Sequence, residues 1–133
     1  MTVAVVDASV VVAALLDSGA EGRWAEDQVF IHDLAGPHLV LAEASNIMRR
    51  AVLSRQTSDE GASLAHADLL GLDIELFPFD PFASRVWQMR DNLTAYDAWY
   101  VALAEGLECS LLTLDGHLAR APGISCHVSL PGG

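Results

Sequence analysis

The chain of 133 residues contains no lysine; its seven basic residues are all arginine and face 18 Asp and Glu, for a formal charge of −11. Such a surface repels free polyphosphate and favours basic protein partners, so a nucleic-acid substrate would need help from cations. Cysteine is scarce too. Cys109 and Cys126 stand in no CxxC or Cys/His ligand spacing, and two buried thiols in a reducing cytosol is the plain reading. Repeats, low-complexity tracts and linkers are also missing. Asp7 interrupts the apolar stretch over 1–16 and no basic segment precedes it, so neither a signal peptide nor a membrane span is expected. A cytoplasmic location follows as the expectation.

Apolar side chains are what the chain has in plenty. A hydrophobic fraction of 52% is high for a lone domain of this size, and predicts an oligomer or a complex that covers some apolar surface. The length suits one ordinary domain with a real core, expected over 1–130, with Pro131-Gly132-Gly133 as a frayed tail. Strand and helix alternate along it. VAVVD (3–7) reads as a buried parallel strand, and ASVVVAALL (8–16) follows without a turn signal and is read as helix from context. Residues 20–30 make a weaker helix. A short strand near 31–35 ends at Gly36-Pro37, where Pro37 suits the start of a long helix to about Arg55. Ser58-Asp59-Glu60 opens a helix to about Leu70, IELFPF (74–79) is a strand, and Pro81 starts a helix to Asp91. A helix over 93–105, a strand SLLTL (110–114), a short helix HLARA and a strand near 126–130 complete the chain. Helical crossovers between short apolar strands mean a single α/β domain, a parallel sheet covered by helices on both faces.

Ligands of such sheets sit at the carboxyl ends of the strands. Asp7 closes the first strand, Asp115 closes SLLTL, and Asp97 opens the helix that leads into SLLTL. Glu43 stands in LVLAEASN, on a helix face with Leu39, Val40, Asn46, Ile47 and Arg50. Asp97 is the oddest of them, because LTAYDAWYVALAE offers no wet face before Glu105 and a buried unpaired carboxylate is costly. Four carboxylates with no lysine anywhere point to a hard divalent cation, Mg²⁺ or Mn²⁺. Such an ion can lower the pKa of a water and bridge to a phosphate oxygen.

Each acid also has a structural explanation. Asp7 can cap the helix beginning at Ala8, Thr94 to Asp97 has the spacing of a capping box, Asp115-Gly116 is an ordinary turn pair, and Glu43 can pair with Arg50. Ser9 can orient a carboxylate or cap, and Asn46 can bond Glu43 or lie on the helix surface. The five histidines lack ligand spacing and read as surface or satisfied residues. Trp24, Trp87 and Trp99 read as core or interface anchors rather than base-stacking platforms.

VVDASV, LVLAEASN, LTAYDAWYVALAE and LLTLDGHLA, in this order over nearly the whole chain, closely resemble the PIN-domain ribonucleases, in particular the VapC-type toxins of type II toxin–antitoxin pairs. The resemblance implies a three-layer α/β/α fold around a central parallel sheet. It implies an acidic site that binds Mg²⁺ or Mn²⁺ and hydrolyses RNA phosphodiester bonds, leaving 5′-phosphate and 3′-hydroxyl ends. The family's first acid matches Asp7 with its hydroxyl neighbour Ser9, the second Glu43 with Asn46, the third Asp97, and the fourth Asp115 with Thr113. A homodimer is implied, blocked by a cognate antitoxin whose tail often brings an Arg to the pocket. Neither a membrane nor DNA is an expected partner, DNA being reached only through the antitoxin. Two other readings can be weighed. A phospho-acceptor receiver domain needs a lysine near its last strands, which is missing here; a non-catalytic toxin-like subunit acting through a DNA-binding partner is opposed by the intact acidic set.

Overall fold

The computed structural model describes residues 1–132. Five strands form one sheet: β1 (Val3–Val6), β2 (Asp33–Pro37), β3 (Ile74–Phe77), β4 (Ser110–Leu112) and β5 (Val128–Ser129), in the spatial order β3-β2-β1-β4-β5. Every neighbouring pair is parallel. The central strands β1 and β4 are apolar runs, and Val5, Val6, Leu111 and Leu112 are buried, as strands covered on both faces must be. The helices are α1 (Ala8–Leu16), α2 (Ala20–Ile31), α3 (Val40–Leu53), α4 (Asp59–Leu70), α5 (Ala83–Gln88), α6 (Ala95–Leu107) and α7 (Gly116–Ala119), with a 3₁₀ turn over Asp80–Phe82 before α5.

The chain steps from β1 to β2 to β3 in one direction, then returns past β1 to β4 and β5. Right-handed crossovers therefore lay α1 to α4 over one face and α5 and α6 over the other. Packing agrees: α1 contacts α2, α3 and α4, whereas α6 contacts α5 and the strands β1, β2 and β4. The reversal opens a crevice at the carboxyl end of β1, where ligands of open α/β sheets bind.

Local signals set most boundaries. Ser58 caps α4 by accepting the Gly61 N–H at 3.0 Å, and α6 stops at Glu108, which turns left-handed at φ 54°. Two expectations need correction. Pro37 does not start α3; it is the last residue of β2, paired with Phe77, and α3 begins at Val40. β1 pairs with β2 only as far as Ala35, so Pro37 meets a strand on one side alone and its missing N–H costs no ladder bond. Pro81 sits in the middle of the 3₁₀ turn rather than starting a helix, and α5 runs only from Ala83 to Gln88. Of the tryptophans read as core or interface anchors, Trp87 lies outside the core, 67% exposed with the Arg90 guanidinium 4.8 Å from its ring centroid, which leaves the interface alternative. Trp99 is half-buried with Phe79 edge-on at 5.2 Å. Pro131 and Gly132 form a turn; Gly133, the end of the expected tail, lies outside the described residues. Among the described residues no helix is long and apolar enough to cross a membrane.

Candidate active site

Asp7 is fixed where the central strand ends, its backbone N–H donating to Leu112 O at 2.9 Å. Its Oδ2 accepts two hydroxyls, from Thr113 Oγ1 at 2.7 Å and Ser9 Oγ at 3.0 Å. No side-chain cap bond to α1 forms, so capping does not explain the carboxylate. Burial pushes the Asp7 pKa up. The Thr113 and Ser9 hydroxyls, with weaker help from the nearby amides of Ala8 and Ser9, pull it back. Both hydroxyls also accept from the turn after β4: Thr113 Oγ1 from the Asp115 N–H at 3.0 Å, and Ser9 Oγ from the Leu114 N–H at 3.3 Å. Thr113 is fully buried. Two small side chains therefore tie the Asp7 carboxylate to the loop that carries Asp115.

Glu43 lies in the first turn of α3 and Asp97 in the first turn of α6. Both helices have these turns at the edge where β1 ends, because α3 leaves β2 there and α6 sets out from there toward the start of β4. Burial raises the Glu43 pKa, the charges of Asp7 and Asp97 raise it further, and a hydrogen bond from Tyr100 opposes them. Burial likewise raises Asp97, followed by the charges of Asp7 and Asp115, with the Thr94 hydroxyl and His117 opposing. The charge of Asp7 thus reaches both Glu43 and Asp97, and that of Asp115 reaches Asp97.

The structural explanations divide. The capping box is half made: Thr94 Oγ1 accepts the Asp97 N–H at 3.2 Å, and no return bond runs from the Asp97 carboxylate to the Thr94 N–H. Asp115 does cap, its Oδ1 accepting the His117 N–H at 2.9 Å, and it stays exposed. Glu43 is not paired with Arg50; among the described residues the one ion pair joins Arg85 to Glu105, at 2.7 Å. Asn46 is exposed on α3 with no hydrogen bond to Glu43. Burial pushes the thiols up, Cys126 to about 11, so both cysteines stay protonated.

Sequence reasoning missed Tyr100. Its hydroxyl donates to Glu43 Oε1 at 2.7 Å, joining α6 to α3 across the end of the sheet. The signal was available, since a tyrosine on a fully buried helix face needs a partner for its hydroxyl.

The donor set is carboxylate oxygen, with no thiolate or imidazole. Among the described residues no group of three or more His, Cys, Asp or Glu side chains is arranged to hold a metal ion. Carboxylate oxygen is the ligand type that Mg²⁺ takes, one or two at a time with waters completing its shell. From Ser9 and Leu114 a groove of about 670 Å³ runs past Ile47, Arg50, Gln56 and Thr57.

The PIN domain family profile matches residues 4–124. The chain is 42% identical to "Ribonuclease VapC1" of Mycobacterium tuberculosis over 127 residues, covering 95% of this chain and 96% of that protein. Among solved structures it is similar to FitAcB from Neisseria gonorrhoeae, with a TM-score of 0.68 and 19% identity over 96% of this chain and 97% of that one. It is also similar to VapBC-5 from Mycobacterium tuberculosis, described as a member of the VapBC family of toxin–antitoxin systems, with a TM-score of 0.59 and 25% identity over 98% of both chains. With the acidic cluster standing at the end of a five-stranded parallel sheet, the chain belongs to the PIN-domain family and, within it, to the VapC ribonucleases of toxin–antitoxin systems.

Proposed function

We propose that this VapC ribonuclease depends on Mg²⁺ or Mn²⁺, that Asp7, Glu43, Asp97 and Asp115 form its site, and that a cognate antitoxin silences it. One observation carries the reading. Asp7 is half-buried at the end of the central strand with two hydroxyls on Oδ2, its charge acts on Glu43 and Asp97, and among the described residues no Lys or Arg is paired to it. Desolvated like charges without a counter-ion cost stability, and clusters of this kind are kept where function uses them.

When bound, the cation supplies charge neutralisation at the phosphate and a water of lowered pKa. The remaining tasks fall to the chain. Ser9 and Thr113 favour the charged form of Asp7 and aim it, because hydrogen bonds to the carboxylate oppose the rise that burial causes. Asp97 and Glu43 face Asp7 from the two helical layers, and Asp115 completes the set from the loop after β4. Arg50, unpaired with Glu43 and on the wall of the groove that leads from Ser9, can grip a phosphate of the RNA strand. Asn46, free of Glu43, is left to meet substrate.

The exposed apolar side chains Phe30, Leu64, Leu70 and Trp87, each at least 65% exposed, support burial against a second copy and an antitoxin. The toxin reading is tested by expression with and without the neighbouring small gene. Alone, the wild type slows growth and Asp7→Asn does not; together, the two proteins co-purify. Normal growth on expression of the wild type alone, with free monomer recovered from co-expression, would contradict the reading.

A further inference from the structure

Ser9 and Thr113 hold Asp7 through hydroxyls, and Glu43 is held by a third, the phenol of Tyr100. We infer that Tyr100 is a positioning residue that holds Glu43 in the acidic cluster for the cation, an inference that rests on the site proposed above. Among the described residues the Tyr100 hydroxyl makes the one side-chain hydrogen bond to Glu43, at 2.7 Å on Oε1. Asn46 and Arg50, the other polar residues of that helix face, do not reach it.

Glu43 needs such a restraint. It is half-buried, it has three rotatable bonds, and the negative charges of Asp7 and Asp97 act on it. Left alone, a carboxylate in that field turns outward to water, where its hydration is better and its like-charged neighbours are screened. Tyr100 itself cannot turn away: its side chain is among the largest that are fully buried, and α6 packs it against the sheet.

The choice of a phenol has a physical reason. An arginine or lysine would hold Glu43 more strongly, but its charge would neutralise the carboxylate and repel a cation. A hydroxyl orients without adding charge. An ordinary phenol titrates only at about pH 10, so the group remains a donor. Because it carries a single proton, it occupies Oε1 and leaves Oε2 free to face a cation. Partners that hydrogen-bond metal-ligating side chains act in this way, and losing one costs about 10- to 100-fold in metal affinity or activity.

The test is a double-mutant cycle of Tyr100→Phe and Glu43→Ala on purified, antitoxin-free protein. Calorimetric titration with Mn²⁺ alone gives the dissociation constant, and turnover of a short RNA gives kcat and KM. Tyr100→Phe removes one oxygen and keeps the ring. It is expected to weaken Mn²⁺ binding about 10- to 100-fold, to lower kcat with KM for RNA unchanged, and to change neither quantity when Glu43 is already alanine. Wild-type Mn²⁺ affinity in Tyr100→Phe, or an equal loss in the Glu43→Ala background, overturns the inference while the acidic site stands. A Tyr100→Phe variant that unfolds in EDTA makes the hydroxyl a structural tie and also overturns it. A wild type that neither binds Mn²⁺ nor cleaves RNA overturns the site and this inference together.

Discussion

Neutralising Asp97 gives opposite signs under the two explanations of why it is there. If the carboxylate capped its own helix, Asp97→Asn would cost metal-free stability, up to about 0.5–2 kcal/mol if the cap were lost. In the structure the cap is made by Thr94, whose Oγ1 accepts the Asp97 backbone N–H, and that bond survives the substitution. What the variant removes is one negative charge that burial and the charges of Asp7 and Asp115 oppose. Asp97 is half-buried, so solvent screens these interactions, and each like-charged neighbour is worth about 0.5–1 kcal/mol. Two of them give about 1–2 kcal/mol of relief. For a domain of this size that corresponds to a rise of roughly 4–8 °C in the metal-free melting temperature.

The assay is thermal melting of both proteins in EDTA and in Mn²⁺ at fixed ionic strength. At 100 times its dissociation constant the cation adds about 2.7 kcal/mol to the wild type, and much less to the variant. The order of stability therefore inverts between EDTA and metal. A variant less stable than wild type in EDTA, with a wild type whose melting point ignores Mn²⁺, would refute the reasoning and leave Asp97 as a helix-capping residue.

Two further outcomes follow from the same geometry. Thr113→Val keeps the buried shape but removes the hydroxyl that bonds Asp7 Oδ2 and receives the Asp115 N–H; a loss of about 1–3 kcal/mol in denaturant titration is expected, with weaker Mn²⁺ binding, and an unchanged dissociation constant would count against Thr113 as a support of Asp7. Asp7, Glu43 and Asp97 all have raised pKa values, so the folded metal-free protein keeps protons that the unfolded chain releases. Their stabilising contribution is full below the ordinary carboxylate range and is lost as pH rises through the raised values. EDTA-treated protein should accordingly melt lower as pH is raised above the ordinary carboxylate range, and saturating Mn²⁺ should flatten that slope; a metal-free melting point that climbs as pH rises would contradict the shared acidic cluster.

The layer order and the placement of the four candidate acids near the strand ends were readable because they are tied to local pattern. Short β-branched runs, helical spacing and acids at strand ends are all short-range features. α1 was harder: Val10, Val11 and Val12 are all buried, so ASVVVAALL has no polar face to reveal its period, and only the α/β context marked it as helix. Pro37 misled because the preference of proline for the first helical turn says nothing of a strand that outlasts its neighbour. The Tyr100–Glu43 bond joins residues 57 apart in sequence, a separation that no local rule covers. Asp7 and Thr113, 106 apart, were placed in one site by the family resemblance and by the shared strand-end position rather than by any local signal. The half-made capping box at Thr94 could not be distinguished from a full one, since spacing fixes which residues can meet and not which of the two bonds forms.

The central claim is that a cation held by Asp7 and its neighbours cleaves RNA, and the most direct measurement is cleavage of a mixed RNA pool by wild type and Asp7→Asn, each with Mn²⁺ and with EDTA. The account predicts discrete cleavage by wild type with Mn²⁺, none in EDTA, and a loss of orders of magnitude in the variant, because a neutral amide neither balances the cation nor fixes its geometry. Wild-type cleavage that persists in EDTA, or an Asp7→Asn protein that cleaves at close to the wild-type rate with Mn²⁺, would contradict it.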